Sequence, residues 1–141
     1  MKDKDVAQIL RDKGLRVTPQ RIAIYECLAG TTAHPTAETV YQQLHSKYPS
    51  MSLNTVYKTL LVLEAAGLIQ RFTTADSVFR YDANPAEHVH AVCLKCGRVS
   101  DVPGDFGEEL ERLRAKAVGN SDYNIRYSTL LVYGLCPECK R

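Results

Sequence analysis

Apolar residues recur at helical spacing up to Gly67 and at extended spacing after it. Ala37, Val40, Tyr41, Leu44 and Tyr48 fall on one stripe of 3.6-residue period, opened by Thr36 as a cap and ended by Pro49. Leu53, Val56, Leu60 and Leu63 step by 3, 4 and 3 residues along a further helix, capped by Ser52 and stopped by Gly67. Thr18-Pro19 reads as an N-cap followed by proline at the first helical position, so a helix runs to about Leu28 before Gly30. An earlier helix covers about Lys4 to Lys13. Past Gly67, LIQRF, the turn-forming TTADS and VFRYD predict a β-hairpin. Helices followed by such a hairpin describe a winged helix-turn-helix, whose last helix would read the major groove with Asn54, Lys58 and Tyr57 on its outer side. A small helical bundle with an incidental hairpin is the alternative.

Ala83-Asn84-Pro85-Ala86 breaks the pattern and predicts a hinge at 83–86 between a winged-helix domain, 1–82, and a second domain, 87–141. The second domain reads as β-rich through HVHAVC, RVSDV and YNIRYSTLLVYGLC, with one amphipathic helix from about Asp105 to Val118. The fold class expected is α+β. Neither half is long enough to bury a comfortable core alone, so the second should need a metal staple and a partner subunit.

Composition narrows the function. With 45% hydrophobic and 24% charged residues in 141, the chain is neither disordered nor collagen-like. No segment approaches the roughly 20 apolar residues that span a bilayer. MKDKDVAQIL alternates charges where a secretory signal would place an apolar core, so a cytoplasmic location and reduced cysteines are expected. The net charge of +2 comes from residues 1–82, which hold ten Lys/Arg against eight Asp/Glu; residues 83–141 hold eight of each. Arg11, Lys13, Arg16 and Arg21, offset by Asp12 alone, form a short basic segment that could contact phosphates or simply face solvent.

Cys93-x-x-Cys96 and Cys136-x-x-Cys139 are two knuckles separated by 39 residues. Together they supply the four thiolates that structural zinc prefers, and no βαβ pattern surrounds either pair to favour a thioredoxin-like redox role. Cys27, three residues from Ile24 in its helix, reads as a buried, inert thiol.

His88-x-His90 puts two imidazoles on one face of a strand. With Asp82, Asp101 and His34 the chain can assemble a shell of three imidazoles and two carboxylates, suited to Fe(II) or Mn(II), with zinc as a competitor. If His34 joins, the ion links the two domains. Asp82 and Asp101 could equally be surface carboxylates, and His34 could simply pack beside Pro35. His45, near a helix end, is left aside as a solvated residue.

LRVTPQR, HPTAETVY, LNTVYKTLLVLEAAGLI, HVHAVCLKCG and CPEC resemble, in order and across nearly the whole chain, the ferric uptake regulator family. The resemblance implies a homodimeric DNA-binding repressor with a winged-helix head and an α/β dimerisation domain. It assigns structural zinc to Cys93, Cys96, Cys136 and Cys139, and a regulatory Fe(II) or Mn(II) to His34, Asp82, His88, His90 and Asp101. It also implies that Tyr57 touches thymine methyls of an A/T-rich palindrome and that Arg16 reaches the minor groove, within a contact set of Arg16, Asn54, Thr55, Tyr57 and Lys58. Lys58 stands where iron-sensing members often carry Arg. Peroxide-sensing members tend to carry Asp where Asp82 and Asp101 stand, and iron-uptake members Glu. The expected function is therefore a repressor that senses peroxide through Fe(II)-catalysed oxidation of His34 or His88. An iron-responsive repressor is the alternative. A mononuclear metalloenzyme is disfavoured, because its ligands would straddle a linker.

Overall fold

The computed structural model of the chain describes residues 3–74, 77–83, 88–125 and 128–141. Four helices come first: α1 (Asp3–Asp12), α2 (Pro19–Ala29), α3 (Ala37–Leu44) and α4 (Leu53–Ala65). The last three start where the sequence places caps. Thr18, Thr36 and Ser52 accept the backbone N–H of Arg21, Thr39 and Thr55 at 3.1, 3.2 and 3.1 Å. Gly67, at φ +77°, closes α4 in the left-handed region and lets Leu68 N–H reach Leu63 O at 3.0 Å.

One boundary differs from expectation. The α3 stripe predicts helix as far as Tyr48, but the helix ends at Leu44 and His45 is its cap. Pro49 disfavours helical backbone at Tyr48, so the helix gives way to a turn before it. Tyr48 still packs against the core.

The wing is β1 (Gln70–Thr73) paired antiparallel with β2 (Phe79–Asp82), Phe72 opposite Arg80 and Gln70 opposite Asp82. Ala75 and Asp76 of its expected turn lie outside the described residues. Leu10, Ile24, Val40, Leu60, Ile69 and Tyr81 share one core, so the wing is fixed to the helices by apolar burial. Ala83 belongs to that core; 84–86 of the expected hinge lie outside the described residues.

The second half is a three-stranded sheet in the order β4-β3-β5: β3 (Val89–Cys93), β4 (Val99–Val102) and β5 (Leu130–Gly134). β3 pairs antiparallel with β4 and parallel with β5, reached through α5 (Gly107–Gly119), so, against expectation, a βαβ crossover joins the strands beside the two Cys pairs. YNIRYSTLLVYGLC, expected to be extended throughout, is strand only over Leu130–Gly134, where it pairs with β3; Arg126 and Tyr127 lie outside the described residues. Among the described residues of this half, Val89, Val92, Cys93 and Leu110 are the buried apolar side chains. Leu113, Val118, Val132, Tyr133 and Leu135 remain 44–58% exposed. That half is not closed by its own core. No described helix is long and apolar enough to cross a membrane.

Because Ser52 alone caps α4 through its side chain, Ser52→Ala should lower the unfolding free energy by about 1 kcal/mol. The urea midpoint should fall at constant slope; an unmoved midpoint would show that α4 does not depend on this cap.

Candidate metal centres

β3 ends at Cys93, and a turn through Cys96 to Gly97 (φ +78°) folds the first knuckle back. Leu94 N–H bonds Gly134 O at 2.8 Å, which places the chain after β5 alongside, with Cys136 and Cys139 on a turn closed by Cys139 N–H to Cys136 O at 3.0 Å. The four sulfurs lie within 4.8 Å of one another, and Cys96 Sγ is 3.8 Å from Cys136 Sγ. A tetrahedral zinc with bonds of about 2.3 Å requires sulfur separations of about 3.8 Å. Backbone N–H groups of Cys96 and Cys136 point at Cys93 Sγ from 3.5 and 3.4 Å and bring its thiol down to about 6. Cys139 is pushed up to about 12, first by its hydrogen bond with Cys136, then by burial and the remaining thiols. Cys93 thus ionises readily while Cys139 resists ionising, and a divalent cation would offset that resistance. Arg98 Nη1 to Glu138 Oε2, at 2.8 Å, ties the knuckles together at the surface.

The second cluster joins both halves. His34 is buried with φ +54°, an unusual backbone for a residue with a side chain. β2 holds it there: Arg80 Nη1 donates to His34 O at 3.3 Å and Tyr81 N–H to Pro35 O at 3.1 Å. Asp82 ends the same strand. From the other side, His90 and Asp101 are register partners across β3 and β4, and His88 precedes β3. His34 Nε2 lies 2.9 Å from Asp101 Oδ1 and 3.7 Å from Asp82 Oδ2. His88 Nε2 is 2.8 Å from Asp82 Oδ2, and His90 Nδ1 is 3.1 Å from Asp101 Oδ1. All five ligand atoms fall within 4.8 Å of one another.

The residues fit a divalent cation. Adjacent donors bound at about 2.1 Å sit roughly 3 Å apart, close to these spacings. Despite the 2.9 Å approach to Asp101, His34 Nε2 makes no hydrogen bond, and neither does His34 Nδ1 or His90 Nε2, all of them buried. Such atoms ordinarily cost about 1–3 kcal/mol each, and a cation would use one nitrogen lone pair from each imidazole. Burial, then the charges of His88 and His34, lower the His90 pKa against the opposing pull of Asp82 and Asp101. A ligand imidazole must be neutral.

Of the residues expected at DNA, Arg16, Asn54, Tyr57 and Lys58 are exposed. Thr55 is half-buried, its hydroxyl 3.0 Å from that of Ser52 in the α4 cap. The Tyr57 hydroxyl donates a short hydrogen bond to Glu38 Oε1 on α3, which raises the Tyr57 pKa and lowers that of Glu38. Sequence reasoning missed Glu38, Arg80 and also Phe72, whose ring lies against His34 and His90. The available signal was period-two alternation, which sets Phe72 on the face of Gln70 and Arg80 on the face of Asp82 within their own strands. Cys27, expected to be buried, is only half-buried; its thiol donates to Gln43 Oε1 at 3.0 Å and is pushed up by that burial. His45 stacks against Tyr41 at 5.0 Å, outside both clusters.

Residues 12–133 match the profile of the ferric uptake regulator family. The chain belongs to that family. It is 38% identical over 138 residues to the peroxide operon regulator of Bacillus subtilis strain 168, covering 98% of this chain and 93% of that protein. Its identity to the peroxide-responsive repressor PerR of Staphylococcus epidermidis is 37% over 131 residues, covering 93% and 85%. The solved Campylobacter jejuni peroxide stress regulator superposes with a TM-score of 0.71 at 30% identity, over 94% of this chain and 97% of that one. The winged-helix head and small α/β second half are thus the architecture of the ferric uptake regulator family.

His90, held below its ordinary 6.5, refuses a proton that the unfolded chain accepts. Its share of stability is complete above that value and is lost as pH falls through the lowered one. Thermal unfolding followed from about pH 7.5 to 5 should show a falling midpoint with a shallower slope in His90→Gln. Identical slopes would remove His90 from the linkage.

Proposed function

We propose that the chain is a metal-dependent DNA-binding repressor that senses hydrogen peroxide, working as a cytoplasmic homodimer and not as an enzyme. The observation that carries this reading is the convergence of His34 and Asp82 from the winged half with His88, His90 and Asp101 from the second half. Cys93, Cys96, Cys136 and Cys139 would hold structural zinc, the staple of a half that buries few apolar side chains among its described residues. The five-residue cluster would hold an exchangeable Fe(II) or Mn(II). Residues 1–82 then act as the reading head, 83–86 as the hinge and 87–141 as the dimerisation half, whose exposed apolar residues on α5 and β5 a second copy would cover.

Fe(II) held by these five residues would supply redox chemistry toward peroxide, in which one peroxide oxygen ends on a neighbouring imidazole and the other leaves as water. The chain determines the consequence. His88 and Asp101 are the least covered ligands, with side chains 12% and 28% exposed, so peroxide would enter on that flank. Two Asp, shorter than Glu, leave it open. An imidazole of His34 or His88 that gains one oxygen atom becomes a poorer donor, and loss of His34 leaves Asp82 as the winged half's single ligand. Shifting a closed conformer from about 1% to about 99% needs roughly 5.5 kcal/mol of differential affinity, so a ligand made only in the closed state carries real weight.

At DNA, Arg16, Asn54, Thr55, Tyr57 and Lys58 would contact an A/T-rich operator, whose palindrome matches the two-fold symmetry of a dimer. Lys58, a point charge where Arg would make a fork, suits a phosphate.

Operator affinity measured by fluorescence anisotropy should fall at least about tenfold when the Fe(II) form meets peroxide and stay constant in the Mn(II) form, with one oxygen atom added to peptides holding His34 or His88. Indifference in both forms would leave a plain metal-responsive repressor. Cys136→Ser should lose zinc and unfold or monomerise the second half; normal thermal stability with full dimer content would contradict the zinc assignment.

A further inference from the structure

Phe72 is only 5% exposed, yet it lies outside the cluster of apolar side chains that forms the winged half's core. Its ring stacks on His90 with centroids 4.6 Å and planes 23° apart. It meets His34 edge-on at 5.6 Å and 68°. Those two imidazoles come from opposite halves of the chain and touch each other edge to face at 4.8 Å. The hairpin register explains the placement. Phe72 opposite Arg80, and Gln70 opposite Asp82, put Phe72 on the wing face that carries Asp82, while Tyr81 on the other face enters the helical core. None of the larger packings between helices and strands joins the two halves. Among the described residues, Phe72 is thus an apolar ring in contact with one imidazole from each half.

We propose that Phe72 is a positioning residue of the regulatory site, fixing the plane of His90 and favouring the closed arrangement before any cation arrives. The inference rests on the metal-sensing reading above. A cation that binds only the closed arrangement has an apparent Kd equal to its intrinsic Kd divided by the closed fraction, so whatever closes the metal-free chain sets the metal level at which it responds. A stacked aromatic pair contributes beyond its buried area because it prefers particular ring orientations. Leucine would retain apolar burial without fixing the imidazole plane.

Manganese alone is the probe. Zinc-loaded wild-type, Phe72→Ala, Phe72→Leu and Phe72→Tyr chains are titrated with Mn(II), free Mn(II) being read by electron paramagnetic resonance. Zinc content and metal-free thermal unfolding are measured on the same samples. Phe72→Ala should bind Mn(II) at least about tenfold more weakly with zinc content unchanged. Phe72→Leu should fall between, and Phe72→Tyr should bind within about threefold of wild type, since it keeps the ring. Leucine binding as tightly as phenylalanine, or tyrosine no better than leucine, overturns the stacking role; these two variants decide the matter if the alanine variant does not fold. Wild type that takes up no Mn(II) overturns the sensing reading and this inference with it. Wild-type uptake matched by Phe72→Ala overturns the role of Phe72 alone.

Discussion

Three imidazoles and two carboxylates, brought by separate halves of the chain to one point, are the constraint around which the rest is arranged. Left to themselves these groups satisfy one another poorly. His34 and His90 keep buried nitrogens without hydrogen-bond partners, and His34 holds a left-handed backbone worth about 1–3 kcal/mol of strain. Arg80 and the strand around Tyr81 hold the His34 loop in place, so the strain persists in the folded chain. A junction of this kind closes firmly only when something draws the lone pairs together.

The cysteine cluster answers a different need. The second half buries few apolar side chains among its described residues, and its four sulfurs span β3 and the chain end. Soft thiolates suit zinc, whereas an imidazole and carboxylate shell suits Fe(II) or Mn(II). Dividing permanent and exchangeable ions between chemically distinct shells lets one responsive centre operate on a stable base. The winged half is tied to the same geometry through α3, which begins just after His34 and carries Glu38 against the Tyr57 hydroxyl.

Much of this was legible in the sequence because caps, glycines and the C-x-x-C pairs act locally. Thr18, Thr36, Ser52 and Gly67 mark helix ends by hydrogen bonds to residues within a few positions, and those ends stand where expected. The five candidate oxygen and nitrogen donors were picked out by residue type, and their convergence depends on the β3–β4 register that pairs His90 with Asp101. What stayed hidden depends on contacts between distant segments. Phe72 looks like any strand phenylalanine until β1 is set against His90, and Glu38 like any exposed carboxylate until α3 and α4 cross. The end of α3 and the shortness of β5 were missed because stripe and β-propensity do not report where a neighbouring proline or a pairing partner stops the element.

The account stands on metal-driven closure of the winged half onto the second half. The most direct measurement is small-angle X-ray scattering of the zinc-loaded chain with and without Mn(II), in wild type and His34→Ala. The account predicts a smaller radius of gyration on Mn(II) addition in wild type and no change in His34→Ala. Equal radii with and without Mn(II) in wild type, at saturating occupancy of the His and Asp cluster, would contradict it.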